Sequence, residues 1–505
     1  MIYIILLVIT LLFISNSIVF LGLFQQNGYK TEKYLLNLKR HYLKTLPVYL
    51  EYLSIIVMLF YSFYKEWYLG LLLIIILFTS FLLSEPLIIY PKITKRMIRQ
   101  LITLIVIFIV PFFFVKNHLF FFLVSTIFLP FIIELSGLIN IPIEKKITNY
   151  YKQVTFEKLK RINPLIIGVT GSFGKTTTKN IIHSIIYRSY YTYSTPKSYN
   201  TPMGISKAVS KMNDLTEVFI SELAATKTND IKELVDFVKV DIGIITDIGY
   251  QHMESFKTIE NVLQTKLEIL ASTNLKQLII NNDNQYLKEH IYPENIEIIR
   301  VGINNDSDYM AKNIILTNNG LSFDVYNKEI FLFKVDTILL GRHNIYNLLF
   351  GIVVGRLLNI SVEEIKRNIR NLKPVDNRLS IKNIGKIQII NDAFNSNIKG
   401  FINAIEILKY SKNKKILITP GLVDLGELLE EMNREISKYL IEGIDYIYLV
   451  ENKSSKYLQE YFQQTGFKSF EVVSSFQKAY KKAINKYEES TILIENDLPD
   501  NYLRR

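Results

Sequence analysis

The sequence contains no cysteine among its 505 residues. Disulfide bonds, thiolate catalysis and metal sites with cysteine ligands are therefore excluded. Basic residues are not interleaved with aromatic residues on an obvious surface, so we predict no nucleic-acid partner despite a net charge of +12. The sequence also has no internal repeat and no low-complexity linker. Its length predicts two or three domains.

Charged residues are absent from residues 2–22, and this run lacks the basic start and small-residue cleavage site of a signal peptide. We interpret it as a retained membrane helix, because about 20 apolar residues cross the hydrocarbon layer. Further spans are predicted near 47–63, 67–88, 100–115 and 119–139. The span at 47–63 is the weakest because it contains Glu51. The alternative is a buried helical domain of a soluble protein.

Basic residues are distributed unequally between the loops that join these five spans. Residues 23–46 contain five Lys and Arg, 91–99 contain four and 141–161 contain six, whereas the alternate loops contain only Lys65 and Lys116. The positive-inside rule then places the N-terminus outside and everything after the last span in the cytoplasm. We predict a transmembrane region over 1–144 and a basic juxtamembrane linker over 145–162 that lies against anionic headgroups.

After the linker, short apolar runs alternate with helical stretches, a pattern typical of a parallel sheet covered by helices. The runs Val218 to Ile220, Ile242 to Ile245 and Leu278 to Ile280 are the predicted strands, and 311–340 is predicted to be an antiparallel insertion. Strands at 387–390, 415–418, 446–450 and 491–494 indicate a second α/β domain. The predicted domains are 163–373 and 374–505.

The segment LIIGVTGSFGKTTTKNII, from Leu165 to Ile182, predicts a phosphate-binding loop between a buried strand and a helix. Its glycines allow backbone N–H groups to approach an anion, Lys175 adds a positive charge, and the Thr176 hydroxyl can bind Mg²⁺. The spacing departs from the full GxxxxGK[ST] pattern because position 169 is Val. The alternative is an ordinary strand-to-helix turn with an exposed lysine.

Three further residues are candidates on their position alone. Glu222 follows an apolar strand and could hold Mg²⁺, or it could simply be solvated. His252 lies in a loop at the same predicted edge and could be a ligand. Most histidines in loops bind no ligand. Lys266 falls on the apolar face of a helix, so it is paired, neutral, modified, or a snorkelling side chain.

Two later segments also contain candidate residues. GRHNIYN, at 341–347, places three polar side chains at a helix start, where they could bind an adenine edge or cap the helix. These are His343, Asn344 and Asn347. Arg378 and Asp392 flank the start of the second α/β domain, where an arginine can clamp phosphates when domains close.

Together these segments resemble the Mur ligase family, whose members form amide bonds in cell-wall peptide synthesis at the expense of ATP, and most closely its D-alanyl-D-alanine-adding branch. The motifs occur in the family's order over about residues 165–430. They are GVTGSFGKTTTKN, YNTPMGIS, SELAAT, ITDIGYQHMESF with TKLEIL, NNDN, GRHNIYN, and NDAFNSN followed by TPGLVDLGE. The resemblance implies a P-loop-type central domain and a Rossmann-like C-terminal domain.

The resemblance also implies a role for each matching residue. The residues implied to bind ATP are Gly171, Ser172, Gly174, Lys175, Thr176, Thr177, His343, Asn344, Asn347, Arg378, Asp392 and Asn395. The residues implied to bind metal are Thr176, Glu222, His252 and Lys266, the last as a carbamylated lysine. Those implied in catalysis are Lys175, His252, Lys266 and Arg378.

Two departures from the family pattern concern the substrates. Membrane spans occupy the place of the usual uridine-nucleotide-binding domain. The basic KGSR-like motif expected after the last strand is replaced by ENDLPDNY, from Glu495 to Tyr502. The binding modes of acceptor and amine therefore need not follow the family.

We accordingly expect a ligase in a bacterial cytoplasmic membrane, with its catalytic domains in the cytoplasm and with ATP and Mg²⁺ as cofactors. Its implied partners are a carboxylate-bearing cell-wall or surface-polymer precursor and an amino acid or dipeptide. The alternatives are a polyglutamate-synthase-like ligase and a nucleotide-dependent membrane switch.

Overall fold

The computed structural model describes residues 2–41, 45–83, 91–251, 253–317, 319–375, 377–393, 398–423 and 425–496. They divide, between residues 147 and 148, into two compact units. The first unit is helical and the second is α/β. The predicted residues His252 and Asn395 lie outside the described residues, as does most of the ENDLPDNY segment.

The first unit contains six helices in its described part and the first half of a seventh. They are α1 (Ile2–Gln26), α2 (Thr31–His41), α3 (Leu46–Tyr64), α4 (Trp67–Leu83), α5 (Lys95–Phe112), α6 (His118–Ile127) and α7 (Leu129–Ile162). Two of these, α1 and α3, are long and apolar enough to cross a membrane. A third span results if α6 and α7, bent by 78° where they meet, count as one. The predicted total of five spans stays a prediction.

Glu51, which weakened one predicted span, points into the helical unit. Its side chain is 6% exposed, and Oε1 accepts hydrogen bonds from Asn16 Nδ2 at 3.2 Å and Ser80 Oγ at 3.1 Å. These partners come from α1 and α4, so the carboxyl group is satisfied between three helices. A polar group placed in this way is compatible with an apolar exterior.

The second unit contains two sheets. The helices that follow α7 are α8 (Lys175–Ile186), α9 (Pro202–Ser210), α10 (Asp230–Val238), α11 (Met253–Phe256), α12 (Ile259–Leu267), α13 (Gln285–Lys288), α14 (His343–Leu357), α15 (Val362–Arg370), α16 (Ile398–Lys409), α17 (Leu429–Leu440), α18 (Lys453–Thr465) and α19 (Phe476–Ile484). Short 3₁₀ helices span Glu268–Ala271 and Gly426–Leu428.

The described strands of the first sheet are β1 (Leu165–Thr170), β2 (Thr192–Ser194), β3 (Val218–Glu222), β4 (Ile242–Ile245), β5 (Gln277–Asn281), β6 (Glu297–Gly302), β7 (Tyr309–Thr317), β8 (Gly320–Asn327) and β9 (Ile330–Thr337). Their order is β2-β3-β1-β4-β5-β6-β7-β8-β9. The pairs from β2 to β7 are parallel, and β7, β8 and β9 are antiparallel. The predicted insertion is therefore antiparallel, as expected, but it extends the same sheet.

The described strands of the second sheet are β10 (Ser380–Ile384), β11 (Ile387–Asp392), β12 (Lys414–Thr419), β13 (Tyr446–Val450), β14 (Phe470–Val473) and β15 (Ser490–Glu495). Their order is β10-β11-β15-β12-β13-β14, with β10 antiparallel to an otherwise parallel sheet. The four predicted strands are present. Two further strands, β10 and β14, lie at the two edges and were not predicted.

Alternate residues of β1 face two different cores. Ile167 and Val169 pack with α8, α14 and α15, whereas Ile166 packs with α9, α10 and α12 on the other side. This period of two buries both faces of the sheet, as in parallel sheets generally. A third core fills the domain of the second sheet. The loops that follow β1, β3 and β4 therefore meet at one sheet edge.

The predicted linker 145–162 is the second half of α7, and part of it packs on the α/β unit. Leu159 is 4% exposed within the core that contains α9 and α10. Lys152 pairs with Glu233 at 2.5 Å, Lys158 donates to the Met212 carbonyl at 2.7 Å, and Arg161 pairs with Asp214 at 2.9 Å. These three basic side chains bind protein groups, which differs from the predicted contact with headgroups. Lys145, Lys146 and Lys160 are exposed.

Candidate active site

The loop between β1 and α8 requires glycine at two positions. Gly171 has φ +138°, and a Cβ there would lie 2.1 Å from the Thr246 hydroxyl oxygen. Gly174 has φ +78°, and its Cβ would lie 2.7 Å from Asn347 Oδ1. Any larger residue would clash with fixed groups and adopt an unfavourable backbone conformation. The glycines therefore allow the loop to close over the sheet edge.

The loop after β4 holds this glycine loop in place. The Ser172 backbone N–H donates to the Asp247 carbonyl at 2.7 Å, and the Ser172 hydroxyl donates to the Gly249 carbonyl at 3.1 Å. Thr246 donates its hydroxyl to the Thr170 carbonyl at 3.1 Å. Asp247 in turn accepts a 2.5 Å hydrogen bond from Asn284, and its burial raises its pKa. These hydrogen bonds fix the glycine loop against the loop that follows β4.

Lys175 is the first residue of α8, and its side chain contacts the glycine loop. Its Nζ donates to the Gly171 carbonyl at 2.6 Å and to the Ser172 carbonyl at 3.0 Å. Burial, opposed by Glu222 and aided by nearby Arg378, lowers its pKa to about 8. Thr177 is buried in the same first turn of the helix.

A buried ion pair lies beside the loop. Glu222, at the end of β3, is 2% exposed, and its Oε2 lies 3.0 Å from Lys179 Nζ. Burial would raise the pKa of Glu222, but Lys179, an Asn200 hydrogen bond and Lys175 together hold it below the ordinary value. Glu222 is therefore ionised.

Arg378, from the second α/β domain, lies beside the start of α8 and near Glu222. Its Nη2 donates to the Thr176 hydroxyl at 3.4 Å, and its guanidinium is attracted by Glu222 and Asp392. Burial lowers its pKa from the ordinary value. In the described part of the site, three basic side chains, Lys175, Lys179 and Arg378, thus face two carboxylates, Glu222 and Asp392. This excess of positive charge favours a bound polyanion.

Lys266 is 1% exposed on α12. Burial first, and then the charge of Lys175, hold its pKa well below the ordinary value, while Asp230 and Glu268 oppose the shift. Its Nζ lies 5.8 Å from the centre of the Phe256 ring. Burial therefore makes the ammonium form of Lys266 less favourable than that of an exposed lysine.

Two of the four predicted metal ligands, Thr176 and Glu222, lie near the same side chain. Thr176 and Glu222 both face Arg378, whereas the placement of His252 is not described. Within the described residues, no cluster of three or more His, Asp or Glu side chains could hold a metal ion. A carboxylate and a hydroxyl nevertheless fit Mg²⁺, which prefers oxygen ligands and usually takes one or two carboxylates together with substrate phosphates.

The predicted adenine-binding residues at the start of α14 have different environments. Asn344 donates to the Leu340 carbonyl at 2.6 Å, and Asn347 donates to Asn344 Oδ1 at 2.9 Å and accepts from Thr178 at 2.9 Å. The Asn347 amide therefore joins α14 to α8, whereas the Asn344 amide bonds to the loop before α14 and to Asn347. His343 Nδ1 is buried and has no hydrogen-bond partner within the described residues. Burial, aided by Arg378, lowers the His343 pKa to about 4, so the imidazole is neutral.

Asp392 ends β11 beside Glu495, which ends the neighbouring strand β15. Asp392 Oδ1 accepts from the Leu379 backbone N–H at 3.2 Å. Burial raises its pKa to about 6, while Arg378, the Leu379 N–H and a hydrogen bond with Glu495 oppose the shift. The start of the ENDLPDNY segment is therefore buried next to a predicted nucleotide-binding residue.

Lys179 and Asn200 were missed as site residues in the sequence analysis. Both belong to recognised motifs, and both contact Glu222. A signal was present for Lys179, which stands one helical turn after Lys175 and just before the buried residues Ile181 and Ile182. A lysine at such a position needs an internal partner.

The chain matches two sequence families. The "Mur ligase middle domain" matches residues 169–355, and the "Mur ligase, glutamate ligase domain" matches residues 377–494. The glycine loop, Glu222, Lys266 and the start of α14 fall in the first of these ranges, and Arg378 and Asp392 fall in the second.

Similar curated proteins include two UDP-N-acetylmuramoyl-tripeptide–D-alanyl-D-alanine ligases. The Bacillus subtilis enzyme is 28% identical over 56% of this chain and 62% of its own length. The enzyme from Buchnera aphidicola subsp. Baizongia pistaciae is 32% identical over 52% of this chain and 58% of its own length. The matched part is thus less than two thirds of either relative.

Solved structures show the same fold. MurF ligase from Thermotoga maritima, in complex with ADP, superposes with a TM-score of 0.63 at 21% identity, covering 69% of this chain and 80% of that one. MurF from Acinetobacter baumannii gives a TM-score of 0.62 at 19% identity, covering 69% and 77%. With both family matches and this fold, the chain contains the middle and C-terminal domains of a Mur ligase.

Proposed function

We propose that this protein is an ATP-dependent Mur-type ligase that joins a carboxylate to an amine. The observation that carries the proposal is the cluster of Lys175, Lys179 and Arg378 around a fixed glycine loop. Such a site suits the phosphates of ATP. The ligase names of the relatives and the ADP bound to the Thermotoga maritima enzyme support the assignment.

The reaction we propose has two steps. The substrate carboxylate attacks the γ-phosphate of ATP and forms an acyl phosphate with release of ADP. The amine then attacks the acyl carbon, phosphate leaves, and an amide remains after loss of a proton. Lys175 and Arg378 would stabilise the charge on the transferring phosphoryl group. Mg²⁺, when bound by Thr176 and Glu222, would neutralise part of the phosphate charge.

We further propose that the first unit anchors the enzyme in a membrane. Large apolar side chains on α1 and α3 face outward, including Leu7 at 59% exposure and Phe60 at 52%. A soluble helical domain would place polar residues there, whereas lipid favours apolar ones. The single carboxylate of α3 is turned inward.

The proposed acceptor is a membrane-linked precursor with a free carboxylate. The predicted membrane spans stand where the family has its uridine-binding domain, and a tether to the bilayer would raise the effective concentration of lipid-linked acceptors. Peptidoglycan precursors are the acceptor class that the names of the relatives suggest. The amine would be an amino acid or a dipeptide such as D-alanyl-D-alanine.

ADP release by the detergent-purified full chain tests the ligase assignment. ATP is supplied with a carboxylate acceptor alone, an amine alone, both, or neither. A ligase should release stoichiometric ADP only with both substrates. Release that depends on neither substrate would instead indicate a nucleotide-dependent membrane switch.

A second assay tests the choice of acceptor. Specificity constants are compared for a lipid-linked precursor and its soluble uridine-linked counterpart in one lipid-reconstituted preparation. We expect a higher constant for the lipid-linked acceptor. Equal or better use of the soluble precursor would reject the membrane-linked acceptor and leave the ligase assignment intact.

A further inference from the structure

Both carboxylate oxygens of Glu222 are already bound by protein groups. Oε2 lies 3.0 Å from Lys179 Nζ, and Oε1 accepts from Asn200 Nδ2 at 3.0 Å. Lys179 is itself fixed on its other side, because its Nζ donates to the Lys197 carbonyl at 2.5 Å. Lys179 and Glu222 are 1% and 2% exposed. The lysine is therefore a built-in partner of the candidate metal ligand.

The surrounding charges disfavour a free dication. Within the described residues, Lys175, Lys179 and Arg378 all act electrostatically on Glu222. A cation at contact distance from another cation is strongly disfavoured when water is scarce. Nucleotide phosphates would reverse this balance, because their negative charges outnumber the carboxylate and attract the same three cations.

We propose that Lys179 is an internal counter-ion of Glu222, so that a divalent metal ion binds this site only together with a nucleotide. The proposal rests on the proposed function, which assigns nucleotide phosphates and a metal ion to the site. Lys179 acts as a positioning residue: it keeps the Glu222 carboxylate charged and oriented, and it occupies an oxygen that a metal ion would otherwise take.

Mn²⁺ binding, followed by the loss of the electron paramagnetic resonance signal of free Mn²⁺, tests this idea without turnover. The full chain in detergent is titrated with and without ADP. We expect the wild type to bind Mn²⁺ tightly only when ADP is present. Lys179→Met should bind Mn²⁺ without ADP at least about ten-fold more tightly than the wild type, since a neighbouring cation is removed.

Two control variants separate contact from general charge. Lys175→Met removes the same charge one helical turn away, but Lys175 donates to loop carbonyls and not to Glu222. It should increase nucleotide-free Mn²⁺ binding much less. Lys179→Met combined with Glu222→Gln removes the carboxylate as well and should abolish the gain. Melting temperatures establish that each variant is folded.

Several results would overturn the inference. The first is tight Mn²⁺ binding by the wild type without nucleotide. The second is a folded Lys179→Met variant whose nucleotide-free Mn²⁺ affinity equals that of the wild type. The third is an equal increase of that affinity in Lys175→Met. If Lys179→Met does not fold, the wild-type titration decides by itself. A wild type that fails to bind ADP would contradict the proposed function, while the nucleotide-free titrations would still decide the role of Lys179.

Discussion

The contacts and the pKa of each lysine at this site depend on its neighbouring groups. Lys179 and Lys266 are buried and Lys175 is half-buried, yet each lysine has a different partner. Lys175 binds loop carbonyls, Lys179 pairs with Glu222, and Lys266 faces an aromatic ring with its pKa strongly lowered. We therefore propose a different role for each lysine: phosphate ligand for Lys175, counter-ion for Lys179 and modification site for Lys266.

Lys175→Ala should reduce ligase activity by at least about 100-fold, the usual effect of removing one preorganised electrostatic group. The glycine loop places this ammonium where phosphate charge would develop. ADP release with both substrates present measures the effect. The exposed Lys227→Ala is the matched control and should retain wild-type activity. Lys175→Ala activity within a few-fold of wild type would contradict the phosphate-binding role.

Lys266→Ala should be inactive and partly rescued by a short-chain carboxylate added in solution. The reason is that a permanent ammonium is disfavoured at a position 1% exposed, whereas a carbamylated lysine is carboxylate-like. Lys266→Arg should remain inactive because guanidinium keeps its charge and cannot be carbamylated. An active arginine variant would show that only a cation is needed.

At the scale of elements, the second half of α7 belongs to the α/β unit. The segment was predicted from its charge to be a linker on the membrane surface. Its apolar residues Phe156 and Leu159 instead pack with α9 and α10, and three of its basic residues bind protein groups. Helix α9 begins next to Asn200, so the docked segment supports a helix that leads to the Glu222 cluster.

Leu159→Ala should lower the free energy of unfolding of the α/β unit by about 2–5 kcal/mol, the range for removing a buried leucine side chain. Lys160→Ala changes the next residue, which is exposed, and should have an effect below about 0.5 kcal/mol. Urea unfolding of the full chain in detergent measures both. Equal effects of the two substitutions would show that the helix does not dock in solution.

For the whole molecule, the sequence predicts an odd number of membrane spans. In right-side-out cells, a tag at Met1 should then be accessible to protease and a tag at Arg505 protected. The physical basis is the alternation of basic residues between loops. Protection of both tags would mean an even number of spans. Accessibility of the Arg505 tag would place the α/β unit outside the cytoplasm.

The sequence alone determined much of the architecture. Apolar period and turn residues are local signals, so the runs at Val218 to Ile220, Ile242 to Ile245 and Leu278 to Ile280 all form strands in the order expected. The glycine loop was also predictable, since its residues are contiguous. The edge strands β10 and β14 were missed because they are half exposed and lack a continuous apolar run.

The tertiary structure decided which side chains meet. Lys179 and Glu222 are 43 residues apart, and Thr178 and Asn347 are 169 apart. No local pattern specifies such pairs, because they form only when β1, β3 and α14 are stacked around one core. The same stacking uses the amides of Asn344 and Asn347 internally and leaves His343 Nδ1 unpaired among the described residues. Sequence thus determined the elements and the loop, whereas burial and packing determined the charge balance of the site.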